Sequence, residues 1–235
     1  MSLWSRISEA LAALAIGEGL SVVFDRLRAA PERSVGFTIA VIALGAKMAK
    51  ADGQVTRDEV SAFRRVFTIP VAEEANAARV FNLARQDVAG FEAYARKVAL
   101  MFRNDDEALC RDDRNVLIDL LEGLFHIAVA DGDFHPQEDA FLSNVAAIFG
   151  LDQHCYNAMR ARYVEGSPRD PFEVLGIAPD ASQAQVRAAW RQAVKDSHPD
   201  AMIARGVPPE AVKLAERRLI AINAAWEEIQ TRRAA

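Results

Sequence analysis

Cysteine is scarce in this sequence, which contains only Cys110 and Cys155 among its 235 residues. The two thiols stand too far apart to match a zinc-ligand spacing, and they are too few for a disulfide framework. We therefore predict a protein of a reducing compartment, with the cytoplasm as its location.

Long uncharged runs are also missing. Near the N-terminus the longest covers residues 10–17, whereas a membrane-spanning helix needs about twenty apolar residues. The same segment lacks the basic start and the cleavage site of a signal peptide. Its apolar residues recur at helical spacing, at Leu3, Ile7, Leu11 and Leu14. We expect this face to dock on the protein's own core. A peripheral position on the inner membrane is the alternative, which the lack of a richly basic polar face disfavours.

The charge and the motif content exclude two further classes of function. The net charge is −5, so the chain has no basic excess that would suit nucleic acid. The sequence also contains no P-loop, no Gly-x-Ser-x-Gly and no His-Glu-x-x-His motif. We therefore predict neither a nucleic-acid-binding protein nor an enzyme.

Strand signals are absent as well, because no stretch alternates apolar and polar residues with β-branched enrichment. Helical spacing, in contrast, is clear in residues 73–83 and 91–102, with Gly90 as the break between them. Two prolines, a glycine and a serine in residues 165–171 indicate a linker. We predict an all-α protein in three parts: an N-terminal amphipathic segment (1–34), a helical domain (35–165) and a C-terminal module (170–235).

The helical domain contains an internal repeat. Residues 42–59 align with residues 121–138 at an offset of 79. Each copy reads as an apolar helix, an Asp-Gly turn and a second amphipathic helix. Apolar positions beyond the turn also match: Phe63 with Leu142, Val66 with Val145, and Ile69 with Ile148. Two copies are too few for a solenoid, so we predict one pseudo-duplicated helical bundle.

The duplicated Ala-x-Ala-Asp-Gly with its downstream glutamate resembles the TerB family, an all-helical domain first associated with tellurite resistance. That resemblance implies a divalent cation as a cofactor, held by acidic residues near the two turns. The candidate metal ligands are Asp52, Glu59, Asp131, Asp133 and Glu138. Helix capping is the competing interpretation, because Thr56-x-x-Glu59 is a capping box and Pro136 precedes Glu138 by two residues.

The C-terminal module has the most specific pattern in the chain. Two amphipathic helical segments, residues 182–197 and about 208–229, flank the tripeptide His198-Pro199-Asp200. Proline disfavours helix at the residue before it, so the chain must leave the first helix at His198. Basic residues recur every four positions on one face of that helix, at Arg187, Arg191 and Lys195.

This pattern resembles a J domain, the module by which DnaJ-type co-chaperones activate the ATPase of DnaK-type chaperones. The resemblance implies that a DnaK-type chaperone is the partner. It assigns the contact with that partner to His198, Pro199 and Asp200, and it assigns the docking face to Arg187, Arg191 and Lys195.

A TerB-like domain followed by a J domain is similar to the DjlA family of co-chaperones. Two features depart from the usual J-domain pattern: Ala201 stands where a basic residue often follows the tripeptide, and a long loop continues to Glu210. We predict a co-chaperone that brings a DnaK-type chaperone to clients, or to a site, chosen by the TerB-like domain. The alternative is a metal-binding stress or envelope scaffold whose function lies in the TerB-like domain.

Overall fold

A computed structural model describes residues 3–14, 20–27, 32–52, 63, 66–86, 90–102, 111–130, 132–164, 170–211 and 213–234. The α-helices in these ranges are α1 (Leu3–Ala12), α2 (Val23–Arg26), α3 (Glu32–Asp52), α4 (Glu74–Gln86), α5 (Phe91–Phe102), α6 (Arg111–Ala128), α7 (Pro136–Ile148), α8 (Gln153–Tyr163), α9 (Pro171–Val174), α10 (Gln183–Asp196), α11 (Pro199–Ala204) and α12 (Lys213–Ala234). Short 3-10 turns cover Leu20–Val22, Val71–Glu73 and Pro209–Ala211. No residue in the described ranges forms a β-strand, which confirms the predicted all-α class.

Helix α1 docks on the body of the protein. Its apolar face is buried and lies against α3 and α4, as the helical spacing of the N-terminal segment predicts. The buried side chains of this face are Leu3, Trp4, Ile7 and Leu11. The helix therefore uses its apolar face within the fold. Among the described residues, no helix is both long enough and apolar enough to cross a membrane.

Helix α3 is the centre of the N-terminal domain. Every side chain from position 35 to position 49 is buried, and α3 contacts α1, α4, α5, α6 and α7. A helix that is apolar on all sides is typical of such a central position. Two glycines allow the neighbours to come close: a Cβ on Gly36 would lie 2.6 Å from the sulfur of Met101, and one on Gly45 would lie 2.8 Å from the Phe63 ring.

The internal repeat is visible in the matching burial of its two copies. The first helices of the copies, α3 and α6, contact each other in the core. Phe63 and its counterpart Leu142 are both buried, as are Val66 and Val145. In the second copy the second helix is α7, whereas residues 53–62 of the first copy lie outside the described residues.

The C-terminal module consists of α9 to α12. Helices α10 and α12 form a hairpin around a small apolar core, to which α8 contributes Ala161. The buried members of this core are Ala161, Val174, Leu175, Val186, Ile222, Ala225 and Ile229. Val186 on α10 and the last three residues on α12 belong to the helical stripes that the sequence predicts.

One end of this module belongs to the main core of the protein. Apolar side chains from α11, from the segment after it and from the start of α12 are buried in the same cluster as α3 and α6. These side chains are Met202, Val207, Ala211, Leu214 and Ala215. This packing places α11 directly on the N-terminal domain. It therefore determines how the tripeptide at the start of α11 is held.

Candidate functional site: the His198-Pro199-Asp200 turn and its support

The tripeptide lies where α10 ends and α11 begins. Ser197 closes α10 with its N–H, which donates to the carbonyl of Ala193 at 3.0 Å. His198 then has extended backbone angles, φ −66° and ψ 134°, as the following proline requires. Pro199 takes the first position of α11, where its missing N–H costs no hydrogen bond. Two residues, Ser197 and His198, thus separate α10 from α11, and the break lies where the sequence predicts it.

The side chains of His198 and Asp200 are both exposed. His198 Nδ1 accepts a hydrogen bond from the backbone N–H of Asp200 at 3.2 Å, which makes the imidazole the N-cap of α11. The carboxylate of Asp200 lies 3.7 Å from the same nitrogen. The exposed fractions of the two side chains are 60% and 89%. The local hydrogen bond therefore orients the imidazole while a partner can still reach both groups.

The segment after the tripeptide differs from the expected loop. The sequence predicts that a loop continues through residues 202–210 and that Pro208-Pro209 starts the final helix. Instead, α11 runs to Ala204 because a capping histidine and a first-position proline start it. Gly206, with φ of +105°, ends it. Pro209–Ala211 forms a 3-10 turn, and the final helix α12 is described from Lys213.

The predicted basic face lies on α10, immediately before the tripeptide. Arg187, Arg191 and Lys195 are all exposed, and their spacing of four residues places them on one side of the helix. We call these three residues the basic ridge. The ridge ends three residues before His198, so the positive charges and the tripeptide belong to one continuous stretch of chain.

The hairpin that carries the ridge is fixed by contacts between α10 and α12. The indole rings of Trp190 and Trp226 stack with their centroids 4.9 Å apart, and Trp190 Nε1 donates to Asn223 Oδ1 at 3.0 Å. At the start of α10, Ser182 and Gln185 form a reciprocal capping box. These contacts set the orientation of the ridge relative to α12.

Two buried carboxylates of α6 hold the C-terminal module on the N-terminal domain. Asp119 receives both prongs of the Arg205 guanidinium, with Nε 2.5 Å from Oδ2 and Nη2 2.9 Å from Oδ1. Arg218 of α12 donates to Asp119 and, through Nε at 2.5 Å, to Glu122. The two carboxylate side chains have no exposed surface, and the two arginine side chains are only 4% and 5% exposed. We call these four residues the junction network.

The sequence analysis missed the junction network. Asp119 and Glu122 are three residues apart on a helix whose neighbouring positions, from Val116 to Phe125, are otherwise mostly apolar, and buried carboxylates on such a face require cationic partners. That spacing was the available signal. It could not identify the partners, because Arg205 follows Asp119 by 86 residues.

The network extends to the base of the module through Arg162. Its Nη1 donates to Glu122 at 2.5 Å, and its Nε donates to the carbonyl of Val174 in α9 at 3.3 Å. Burial by itself would lower the pKa of the Arg218 guanidinium, but the carboxylates of Glu122 and Asp119 raise it above its ordinary value. Arg218 therefore stays protonated within the network.

His126 lies beside this network and is a buried core histidine. Burial, reinforced by Arg217 and Arg218, lowers its pKa to about 3, so its ring is neutral near pH 7. Arg217 Nη1 lies 2.8 Å from His126 Nδ1. This nitrogen can accept a hydrogen bond from the guanidinium only when the imidazole is neutral. The ring also meets Tyr163 edge-on at 4.6 Å. This histidine supports the junction.

The candidate metal ligands are only partly accounted for. Glu59, Asp131 and the side chain of Asp52 lie outside the described residues. Asp133 is exposed, and Glu138 Oε2 accepts a hydrogen bond from the backbone N–H of His135 at 2.9 Å. Together with His135 it forms a capping box at the start of α7. Within the described part of the chain, no three His, Cys, Asp or Glu side chains cluster as a metal site. The metal site stays a prediction.

The capping role of Glu138 can be separated from metal binding. We expect Glu138→Ala to lower the free energy of unfolding by about 1 kcal/mol, because the N-terminus of α7 loses a hydrogen-bond acceptor. Urea denaturation should give the same loss relative to the wild type in EDTA and in excess calcium. Gln137→Ala, at the neighbouring position, is the control. A loss that occurs only with calcium would instead indicate a metal ligand.

Residues 38–161 match the family described as tellurite resistance protein TerB. The match begins in α3 and ends in α8, so it spans both copies of the internal repeat. It ends before the C-terminal module begins. No solved structure matches the chain.

Curated relatives resemble the chain along most of its length. Co-chaperone protein DjlA of Photobacterium profundum is 26% identical over 225 residues, which cover 85% of this chain and 78% of that protein. DjlA of Legionella pneumophila is 25% identical over 232 residues, covering 82% and 75%. DjlA of Escherichia coli K12 is 22% identical over 274 residues, covering 98% of each. These relatives bear the name of a co-chaperone, and the similarity to the Escherichia coli protein covers nearly the whole chain.

Proposed function

Because this chain belongs to the tellurite resistance protein TerB family and resembles DjlA co-chaperones over most of its length, we propose that it is a co-chaperone. In this proposal its C-terminal module is a J domain that stimulates ATP hydrolysis by a DnaK-type chaperone. The TerB-like domain chooses the client or the site to which that chaperone is brought. The protein itself makes and breaks no bond.

One observation carries the proposal: the His198-Pro199-Asp200 turn is exposed at the end of an exposed basic helix face. The imidazole accepts the Asp200 N–H and is oriented by that hydrogen bond, while the side chains of His198 and Asp200 are both largely exposed. Such a turn can contact a partner that has two conformations. If it binds the hydrolysing conformation better, it shifts the partner's population toward hydrolysis.

The basic ridge has a different role in the same encounter. Arg187, Arg191 and Lys195 present three positive charges at a spacing that suits an acidic surface on the chaperone. Exposed complementary charges mainly accelerate and orient association, and salt weakens them. The ridge therefore governs how much co-chaperone is needed, while the tripeptide governs how far hydrolysis is accelerated.

The test is the steady-state ATPase of the cognate DnaK-type chaperone, measured against increasing concentration of the full chain. The proposal expects a several-fold increase that saturates. A folded wild-type protein that leaves the rate unchanged at every concentration would remove the proposal. The saturation curve yields two separate quantities, the maximal stimulation and the half-maximal concentration.

Reversing one charge of the ridge should change mainly the second quantity. We expect Arg191→Glu to raise the half-maximal concentration by about tenfold in low salt, because the substituted glutamate repels an acidic partner surface. The difference should shrink when the salt concentration is raised. Arg79→Glu makes the same charge change at an exposed position of α4 and is the control. Equal effects of the two substitutions would show that only net charge matters.

A further inference from the structure

Helix α11 connects the exposed tripeptide to the buried junction network. At its N-terminus the His198 imidazole accepts the Asp200 N–H, so the orientation of the ring follows the orientation of the helix. At its C-terminus Arg205 is the capping residue, and its guanidinium is buried. Six helical residues separate the two, a distance of about 10 Å at 1.5 Å per residue.

The buried end of α11 has no freedom to tilt. Met202 has no exposed surface, and Val207, whose N–H donates to the Met202 carbonyl at 3.0 Å, is 1% exposed. At Gly206 a Cβ would lie 3.0 Å from the Cβ of Arg33, so the chain passes directly over the start of α3. The backbone N–H of Thr68 donates to the carbonyl of Glu210 at 3.0 Å. Contacts with α3 and residue 68 thus hold the segment after α11.

Arg205 is the polar contact that anchors this end of α11 on the N-terminal domain. Its two-pronged contact with Asp119 fixes the direction of the guanidinium plane, which a single contact would leave free to rotate. Asp119 belongs to α6, the first helix of the second repeat copy, and residues 119–128 of α6 are all buried. The anchor is therefore attached to the buried core of the TerB-like domain.

We propose that Arg205, through its buried pair with Asp119, is a positioning residue that sets the orientation of the His198-Pro199-Asp200 turn. The inference rests on the proposed co-chaperone function and names how the TerB-like domain acts on it. A turn held in its binding orientation loses less conformational freedom on contact with the chaperone. The TerB-like domain thus sets the strength of the ATPase stimulation as well as the client or site to which the chaperone is brought.

The Arg205–Asp119 pair predicts that the maximal stimulation and the half-maximal concentration respond differently to a substitution at Arg205. Arg205→Met removes the anchor and leaves the basic ridge untouched. We expect the maximal stimulation to fall roughly fivefold or more, because the cost of ordering the released turn weakens only the complex with the hydrolysing conformation, in which the turn makes its contact. The half-maximal concentration should change by less than about twofold, since the ridge still steers the encounter. Arg205→Lys keeps the charge without the planar fork and should recover only part of the stimulation.

Arg218→Met is the matched control. Arg218 contacts the same carboxylate and is equally buried, but it belongs to α12 and not to the helix that carries the turn. It should lower the melting temperature about as much as Arg205→Met while it retains the maximal stimulation. Hydrogen exchange of the segment from Pro199 to Val207, at a temperature at which circular dichroism shows both variants folded, should be faster in Arg205→Met alone.

The possible results distinguish a failure of the positioning role of Arg205 from a failure of the proposed co-chaperone function. Absence of stimulation by the wild type would remove the co-chaperone function, whereas the exchange measurement would still test the anchor. Undiminished maximal stimulation by folded Arg205→Met, or an equal loss in both methionine variants, would overturn the positioning role. If Arg205→Met does not fold, Arg205→Lys decides: full stimulation overturns the role, and a loss in the maximum alone supports it.

Discussion

His198→Gln should abolish the stimulation of the DnaK-type ATPase while the protein stays folded. The imidazole is 60% exposed, and its only hydrogen bond within the described structure is the cap of α11. Glutamine can still accept a hydrogen bond near the helix start, so the substitution costs at most about 1 kcal/mol of stability. It removes the ring that the proposed contact requires. The measurement is the saturation curve, in which the maximal stimulation should fall to the basal rate.

The chain contains a matched control for this substitution. His135 also precedes a proline and caps a helix, since its Nδ1 accepts the Gln137 N–H at 3.3 Å and Pro136 starts α7. His135→Gln removes the same local interaction from the TerB-like domain and should leave stimulation unchanged. Asp200→Asn should fail as His198→Gln does, because the proposed contact uses the carboxylate. Stimulation that survives both substitutions in the tripeptide would refute the assignment of this turn.

Asp119→Ala should be the most destabilising single substitution among those considered, with a loss of about 3–5 kcal/mol in the free energy of unfolding. Asp119 has no exposed surface, and the Arg205 side chain, 4% exposed, donates only to Asp119 among the described residues. Removing the carboxylate leaves a guanidinium buried without a counter-charge, and that desolvation is the main cost. Urea denaturation of the full chain measures it.

A double-mutant cycle identifies the mechanism. Arg205→Met combined with Asp119→Ala should cost less than the sum of the two single substitutions, because neither charge is then left alone. Asp112→Ala, at an exposed carboxylate in the first turn of the same helix, should cost no more than about 1 kcal/mol. If the losses at Asp119 and Arg205 simply add, the pair is not the unit that fixes the junction.

Such a pair does not by itself make the fold more stable. Apolar residues of similar volume can replace a buried ion pair without loss, since desolvation offsets most of the attraction. What the junction network adds is direction: Asp119 pairs with Arg205 at the end of α11, and Glu122 pairs with Arg218 of α12. These two pairs give the C-terminal module a fixed orientation on the TerB-like domain.

Local patterns predicted where most of the helices lie. Ser182 and Ser197 bound α10 at the positions that the sequence indicates. Phe63 and Leu142, which match in the internal repeat, are both buried. Capping and periodicity depend on residues within one or two turns of each other, so the sequence shows them. The region after Ala201 was predicted less well: α11 has a local cap, but its burial in the main core depends on residues that are distant in the chain.

The two His-Pro steps show the limit of local inference. His135 and His198 make the same N-terminal cap with a proline at the first helical position, and their short-range geometry is nearly identical. Only the second follows a helix with an exposed basic face. The tripeptide and the ridge were therefore recognised from the wider pattern of the module. The role of either histidine does not follow from the cap.

The sequence by itself determined the helices, the internal repeat, the exposed tripeptide and the basic ridge. Each of these features follows from local patterns of residues along the chain. The tertiary structure decided where the module sits and what anchors it. Asp119 and Arg205 are 86 positions apart, and each is an ordinary charged residue in its own segment. Their pairing depends on which faces of α6 and α11 meet, and only the packing of the whole chain determines that contact.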